Sequence, residues 1–136
     1  MINIGFIKGN GYDISENGIC TVYENISEID SSHRDFIRHV EFSGIVSKIN
    51  TRLFTSCKNL RTVTIPPNIN FIGALAFVSC EKLETVYIES INPVIKLGVF
   101  SNCHNLKLIY CTESVKEKLI GLNSFERDVD ELFITE

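Results

Sequence analysis

The chain has 136 residues, 44% of them hydrophobic, which suits one globular domain with a core of its own and argues against disorder. Thirteen Lys and Arg against seventeen Asp and Glu give a net charge of −4, a balance that disfavours nucleic acid or an anionic membrane as partner. No apolar run approaches the ~18 residues that cross a bilayer, so membrane insertion is not expected.

Residues 1–25 read as β. Ile2, Ile4 and Phe6 alternate, Gly9-Asn10-Gly11 breaks the run, and two short β-prone segments, Tyr12 to Ser15 and Ile19 to Tyr23, flank Asn17-Gly18. Asn-Gly at that place predicts a hairpin in which both turn positions take positive φ. The hairpin is the expected N-terminal cap. No basic leader or cleavage site precedes it, which reads as no signal peptide and a cytoplasmic chain by default. Residues 30–35 read as a polar loop or short helical turn, with Ser31 or Ser32 as its cap.

From Phe54 the chain repeats itself. The segment Phe54 to Ile65 returns as Phe77 to Ile88 and again as Phe100 to Cys111, at an offset of 23 residues each time. Phe54/Phe77/Phe100, Cys57/Cys80/Cys103, Leu60/Leu83/Leu106 and Ile49/Ile72/Ile95 all keep that step. A period of about 20–29 residues with Leu, Ile and Cys at fixed places is a leucine-rich-repeat signature. One lap earlier the pattern is worn. Ile26, Ile37, Val40 and Phe42 keep it, whereas Ser31 and Arg34 stand where Phe and Cys are due.

The predicted fold is therefore a β-rich solenoid. Short parallel strands, the first regular one ending at Pro66-Pro67, form a concave face, and tight turns or 3₁₀ segments return along the convex side. Each lap alone buries too little, so the core forms by stacking. Beyond Cys111, Glu113 to Ile120 reads as a short helix with Ser114 near its start and Gly121 just past its end, and Asp130 to Thr135 as a closing strand. The expected organisation is one domain, with repeats over 26–111 and caps over 1–25 and 112–136.

The three repeat cysteines should form an inward ladder of reduced thiols, with Cys20 and Cys111 also in the core. Their spacing fits no zinc pattern. The other chemical motifs read as structure. His33-Arg34-Asp35 lacks the rest of a kinase catalytic loop. Gly9-Asn10-Gly11 is turn chemistry and not a dinucleotide fingerprint. Cys103-His104 are adjacent residues on an irregular segment, Asn25-Ile26-Ser27 is a chance-level glycosylation sequon, and the histidines at 33, 39 and 104 have no metal spacing. No catalytic, cofactor-binding or metal-binding residue is assigned.

The unit C-x-x-L-x-x-V-x-I-P-x-x-I-x-x-I-G-x-x-A-F resembles the BspA-like leucine-rich-repeat family. Cys57, Leu60, Val63, Ile65, Pro66, Ile69, Ile72, Gly73, Ala76 and Phe77 carry the resemblance, and Tyr12 to Val22 is similar to the hairpin that often precedes the first repeat there. The next unit departs from it at Glu89, Leu97 and Val99. The resemblance covers about residues 12–111. It implies a leucine-rich-repeat fold and a binding or adhesion role of the kind found in bacterial surface proteins, including host–microbe interaction, with a surface or secreted location.

Outward positions of the strands should stack in columns: Glu41/Thr64/Tyr87/Tyr110, His39/Thr62/Thr85/Leu108 and Arg38/Arg61/Glu84/Lys107. Outward tyrosines are favoured at binding hot spots, although aromatic packing across strands is the competing explanation. The candidate partner-binding residues are Glu41, Thr62, Thr64, Glu84, Thr85, Tyr87, Lys107 and Tyr110. The expected function is non-enzymatic protein binding, and the alternative is homo-oligomer assembly through an edge strand or a cap.

Overall fold

The computed structural model describes residues 6–123, 125 and 128–135. Ile2 and Ile4 of the first alternating run lie outside them. The described chain forms two sheets around one core. The larger has eight strands in the order β1 (Ile7–Lys8), β2 (Tyr12–Ile14), β3 (Ile19–Val22), β4 (His39–Phe42), β6 (Thr62–Ile65), β8 (Thr85–Ile88), β10 (Leu108–Cys111), β11 (Phe133–Thr135). The smaller stacks β5 (Lys48–Ile49), β7 (Phe71–Ile72) and β9 (Val94–Ile95).

The 23-residue step becomes strand register. Val63 pairs with Val86 and Val86 with Ile109, always in parallel. On the second sheet Lys48 pairs with Phe71 and Phe71 with Val94. This second sheet corrects the expectation of turns and 3₁₀ segments alone on the return side. The β-branched Ile49, Ile72 and Ile95 recur there, all buried, and each lap hydrogen-bonds the next. Among the described residues the 3₁₀ helix is confined to Ser31–Phe36 in the worn lap. Its cap is Asp30, not a serine, and the Asp30 carboxylate accepts from the Ser32 amide at 2.9 Å and the Ser32 hydroxyl at 2.7 Å.

The bends between the sheets also repeat. Arg52, Leu75 and Gly98 take φ of 59°, 57° and 68°, and Ser56, Ser79 and Asn102 take 54°, 59° and 59°. Each lap thus turns twice through the left-handed region, a strained place for residues with a Cβ. Backbone hydrogen bonds hold these bends to the following lap, from Ser56 N to Val78 O and from Ser79 N to Ser101 O, both 2.8 Å. Gly73 meets the preceding lap so closely that a Cβ would lie 2.4 Å from Thr51 N.

Inside, like side chains stand in file. The rings of Phe54 and Phe77 stack at 5.3 Å and 5°, and those of Phe77 and Phe100 at 5.7 Å and 15°. Phe42 meets Phe54 edge-on at 6.1 Å, where the worn lap lacks its own phenylalanine. Cys57 and Cys80 are fully buried, and Cys103, half-buried, packs against the same core. All five thiols are free. Arg34 heads the cysteine file. Its guanidinium donates to the carbonyls of Leu53, Thr55 and Ile29 at 3.1, 2.9 and 3.1 Å.

The ends differ in detail from the sequence reading. β2 and β3 form the antiparallel hairpin, but its loop has three residues and only Gly18 of the Asn-Gly pair takes positive φ, at 84°. Gly18 N donates to Ser15 O, and Ser15 N to Ile19 O. That geometry belongs to a type I turn with a glycine bulge. At the other end α1 (Glu113–Leu122) is capped by Thr112, whose hydroxyl accepts from Val115 N at 3.2 Å. Ser114 and Gly121 both lie within it. Thr112 and Asn123 flank the helix because their side chains satisfy its exposed termini, the latter by donating to Leu119 O at 3.0 Å. A four-residue helix, α2 (Val129–Leu132), occupies the first part of the expected closing strand, and β11 forms only from Phe133.

Two sets of variants test this packing. Removing the middle ring by Phe77→Ala should cost about 3–5 kcal/mol in urea unfolding. Gly121→Ala, with nothing near its added Cβ, should stabilise by about 0.5–1 kcal/mol. Gly73→Ala should instead destabilise by about 1–3 kcal/mol, because backbone cannot yield as a side chain does.

Candidate functional site

The large sheet turns one side to the core and one to solvent, as its alternating burial shows along β4, β6, β8 and β10. On the outer side the predicted columns are present. Thr64 pairs with Tyr87 and Tyr87 with Tyr110. His39 pairs with Thr62, Thr62 with Thr85 and Thr85 with Leu108. Just before the strands, Arg61 N donates to Arg38 O, Glu84 N to Arg61 O and Lys107 N to Glu84 O, which files the charged row as well.

The tyrosine pair dominates this surface. The rings of Tyr87 and Tyr110 stack at 4.9 Å and 10°, and Tyr87 is 41% exposed. Stacked along the sheet, each ring covers one face of the other. Beside them Glu84 lies between two cations, 3.5 Å from Arg61 and 3.7 Å from Lys107. Glu41 accepts from the Thr21 hydroxyl at 3.4 Å, and His39 hydrogen-bonds the Thr62 hydroxyl. All eight candidate residues therefore occupy one surface, with Glu41 at one side and Tyr110 at the other.

Sequence reasoning missed the flanks of this surface. Thr21 extends the tyrosine column beyond Glu41 and Ile134 extends it beyond Tyr110. Their offsets from the neighbouring rungs are 20 and 24 residues, so stepping by 23 could not find them. The signal available was the alternation in Ile19 to Val22.

A second feature lies at the hairpin end. An open polar cleft of about 950 Å³ is lined by residues that include Lys8, Tyr12, Glu24, Asp30 and His33. The Tyr12 hydroxyl accepts from Asp30 N at 3.1 Å and lies 2.7 Å from His33 Nδ1. Burial pushes the Tyr12 hydroxyl pKa up, and the hydrogen bonds from Ser32 push that of Asp30 down.

The motifs read as structural have structural partners. Arg34 of the His33-Arg34-Asp35 triplet is spent on carbonyls, as described. Asn25 of the sequon accepts from the amides of Ser47 and Lys48 at 3.0 and 3.3 Å, and so seals the outer edge of β5. Cys103 donates to Phe77 O at 3.1 Å. Among the described residues no group of three or more His, Cys, Asp and Glu side chains could hold a metal ion, and no helix is long and apolar enough to cross a membrane.

Two of the buried thiols make stability depend on alkaline pH. Burial raises the Cys20 thiol to about 12 and the Cys111 thiol to about 11, from an ordinary 9.0. Both are protonated in folded and unfolded chains below pH 9, so their contribution is complete there. Above it the unfolded thiols ionise first and favour unfolding, by up to about 1.4 kcal/mol per pH unit per group. Stability measured by urea titration should hold up to about pH 9 and fall beyond it, less steeply in Cys20→Ala.

Comparison with known proteins gives two findings. A family model described as a BspA type leucine rich repeat region matches residues 21–131 in six copies. A crystal structure of a leucine-rich repeat protein from Eubacterium ventriosum is similar at 16% sequence identity and a TM-score of 0.47. The similarity covers 77% of this chain and 42% of that one. No curated protein matches.

Proposed function

The chain belongs to the BspA-type leucine-rich-repeat family, and on that premise we propose that it is a non-enzymatic module that binds a protein partner on the outer face of its large sheet. In this reading the chain is a single short solenoid. Its repeats over 26–111 are closed by the hairpin at one end and by α1, α2 and β11 at the other, and the outer face is the concave one. Such a surface of stacked, in-register rows is where repeat folds usually bind.

The observation that carries the proposal is the Tyr87–Tyr110 pair. Its rings are already ordered by stacking, so a partner that contacts them has little side-chain entropy left to overcome. Glu41, Thr62, Thr64, Thr85, Glu84 and Lys107 surround the pair with hydrogen-bonding and charged groups, the composition of a polar rim about an aromatic centre. An adhesion-type or host–microbe role, and a location outside the cell, extend this reading through the family alone. A second reading rests on β11, one of the two edge strands of the large sheet, where Ile134 is 40% exposed. An open strand edge with an apolar side chain can pair with another copy of the chain.

Partner capture from the source organism, followed by calorimetry, tests the first reading. Tyr87→Ala and Tyr110→Ala should each weaken binding by at least about 1 kcal/mol, and unchanged affinity would remove the outer face from the proposal. Light scattering across a dilution series tests the second. Dimers that dissociate on dilution would support it, and a monomer at every concentration would exclude it.

A further inference from the structure

The cysteine file has a feature that core packing does not require. Its thiols repeat one contact lap after lap. Each later thiol donates to the phenylalanine carbonyl of the lap before, Cys80 to Phe54 O at 3.2 Å and Cys103 to Phe77 O at 3.1 Å. The backbone on either side is held lap to lap, by Phe77 N to Val99 O at 2.9 Å and Ser79 N to Ser101 O at 2.8 Å. Neighbouring laps thus stand near the parallel-strand spacing of about 4.7–4.9 Å. That falls within the Cα separation of about 4.4–6.8 Å that a disulfide spans. The Cys80 and Cys103 side chains point the same way, each toward the phenylalanine carbonyl of the preceding lap.

The file is graded in access. Cys57 and Cys80 are fully buried, whereas Cys103 is half-buried at the end nearest α1. Acidity does not separate the two end thiols, since the contact with Cys80 lowers the pKa of Cys103 and of Cys57 alike, and it is access that singles out Cys103. A thiol that is partly accessible and eased toward thiolate is the one a small oxidant meets first. The thiol behind it is placed to resolve the product.

We propose that Cys103 and Cys80 form a peroxide-responsive pair, in which hydrogen peroxide oxidises the Cys103 sulfur and Cys80 converts the product to an intramolecular disulfide. The Cys103 thiolate attacks one peroxide oxygen, the O–O bond breaks, and the departing hydroxide takes up a proton as water, leaving a sulfenic acid. The Cys80 sulfur then attacks the Cys103 sulfur. Its proton leaves with the displaced hydroxide as a second water. Two thiols lose two electrons, and one peroxide gains them. Cys57 stays reduced, because it is fully buried at the end of the file away from Cys103 and peroxide does not reach it. The new bond closes one full lap of the chain, and that lap carries Tyr87.

Tryptic digestion separates the three thiols, on residues 53–58, 62–82 and 97–107. The intact chain treated with hydrogen peroxide, then alkylated and digested, should give one cross-linked species joining 62–82 to 97–107, reversible by dithiothreitol. Its intact mass should fall by two hydrogens, and its melting temperature should rise by about 5 °C. Cys57→Ser should retain the cross-link and Cys103→Ser should lose it. Alkylation of all three peptides after peroxide, a sulfinic acid on Cys103 with no cross-link, a bond through Cys57, or a covalent dimer in its place would each overturn the proposal.

Discussion

Everything in this molecule depends on backbone hydrogen bonds that run from each lap to the next in unbroken register. A parallel pairing satisfies main-chain donors and acceptors on both sides of a strand. It also brings like residues of successive laps opposite one another. Once that is so, the choice of one residue type at a repeated position sets a whole column. Phenylalanine becomes a stack, cysteine a chain of thiols, and threonine and tyrosine a textured surface. A one-residue slip would turn every inward side chain outward. The register is therefore held at several places in each lap: at the strands, at the two left-handed bends, and where Gly73 lets the backbone of one lap touch the next.

Much of this could be read from the sequence because periodicity is a global property that no local ambiguity hides. Four aligned positions locate the laps, and the alternation in Leu60 to Ile65 assigns the faces. The second sheet was less legible. Its strands have two residues each, too short for alternation to register, although Ile49, Ile72 and Ile95 kept the step. The bends were hidden for a different reason. Arg52, Leu75, Ser56 and Ser79 are not residues that announce a left-handed backbone, and only stacking holds them there. Local chemistry misled at the ends. Ser114 and Gly121 looked like helix boundaries, yet Thr112 and Asn123 do that work, since their side chains reach the unpaired groups.

For the outer surface, the positions were legible and their chemistry was not. The sequence could place Tyr87 and Tyr110 in one column. It could not say that their rings stack face to face, which changes what they present. The neighbouring charges are tied down in the same manner, with Glu84 shared between Arg61 and Lys107. The surface is ordered before any partner arrives.

The change of offset at the two ends has a consequence for how such a molecule grows. Between β4 and β10 every rung is separated by 23 residues, but the hairpin joins at 20 and the final strand at 24. Between β4 and β10, length is therefore added in step only by whole periods of 23 residues. Copying one whole period in the middle leaves every row in step and merely moves the terminal pieces apart. Adding the same residues outside the hairpin or beyond β11 would meet a seam that follows another count. The middle of the molecule thus sets its own unit of extension.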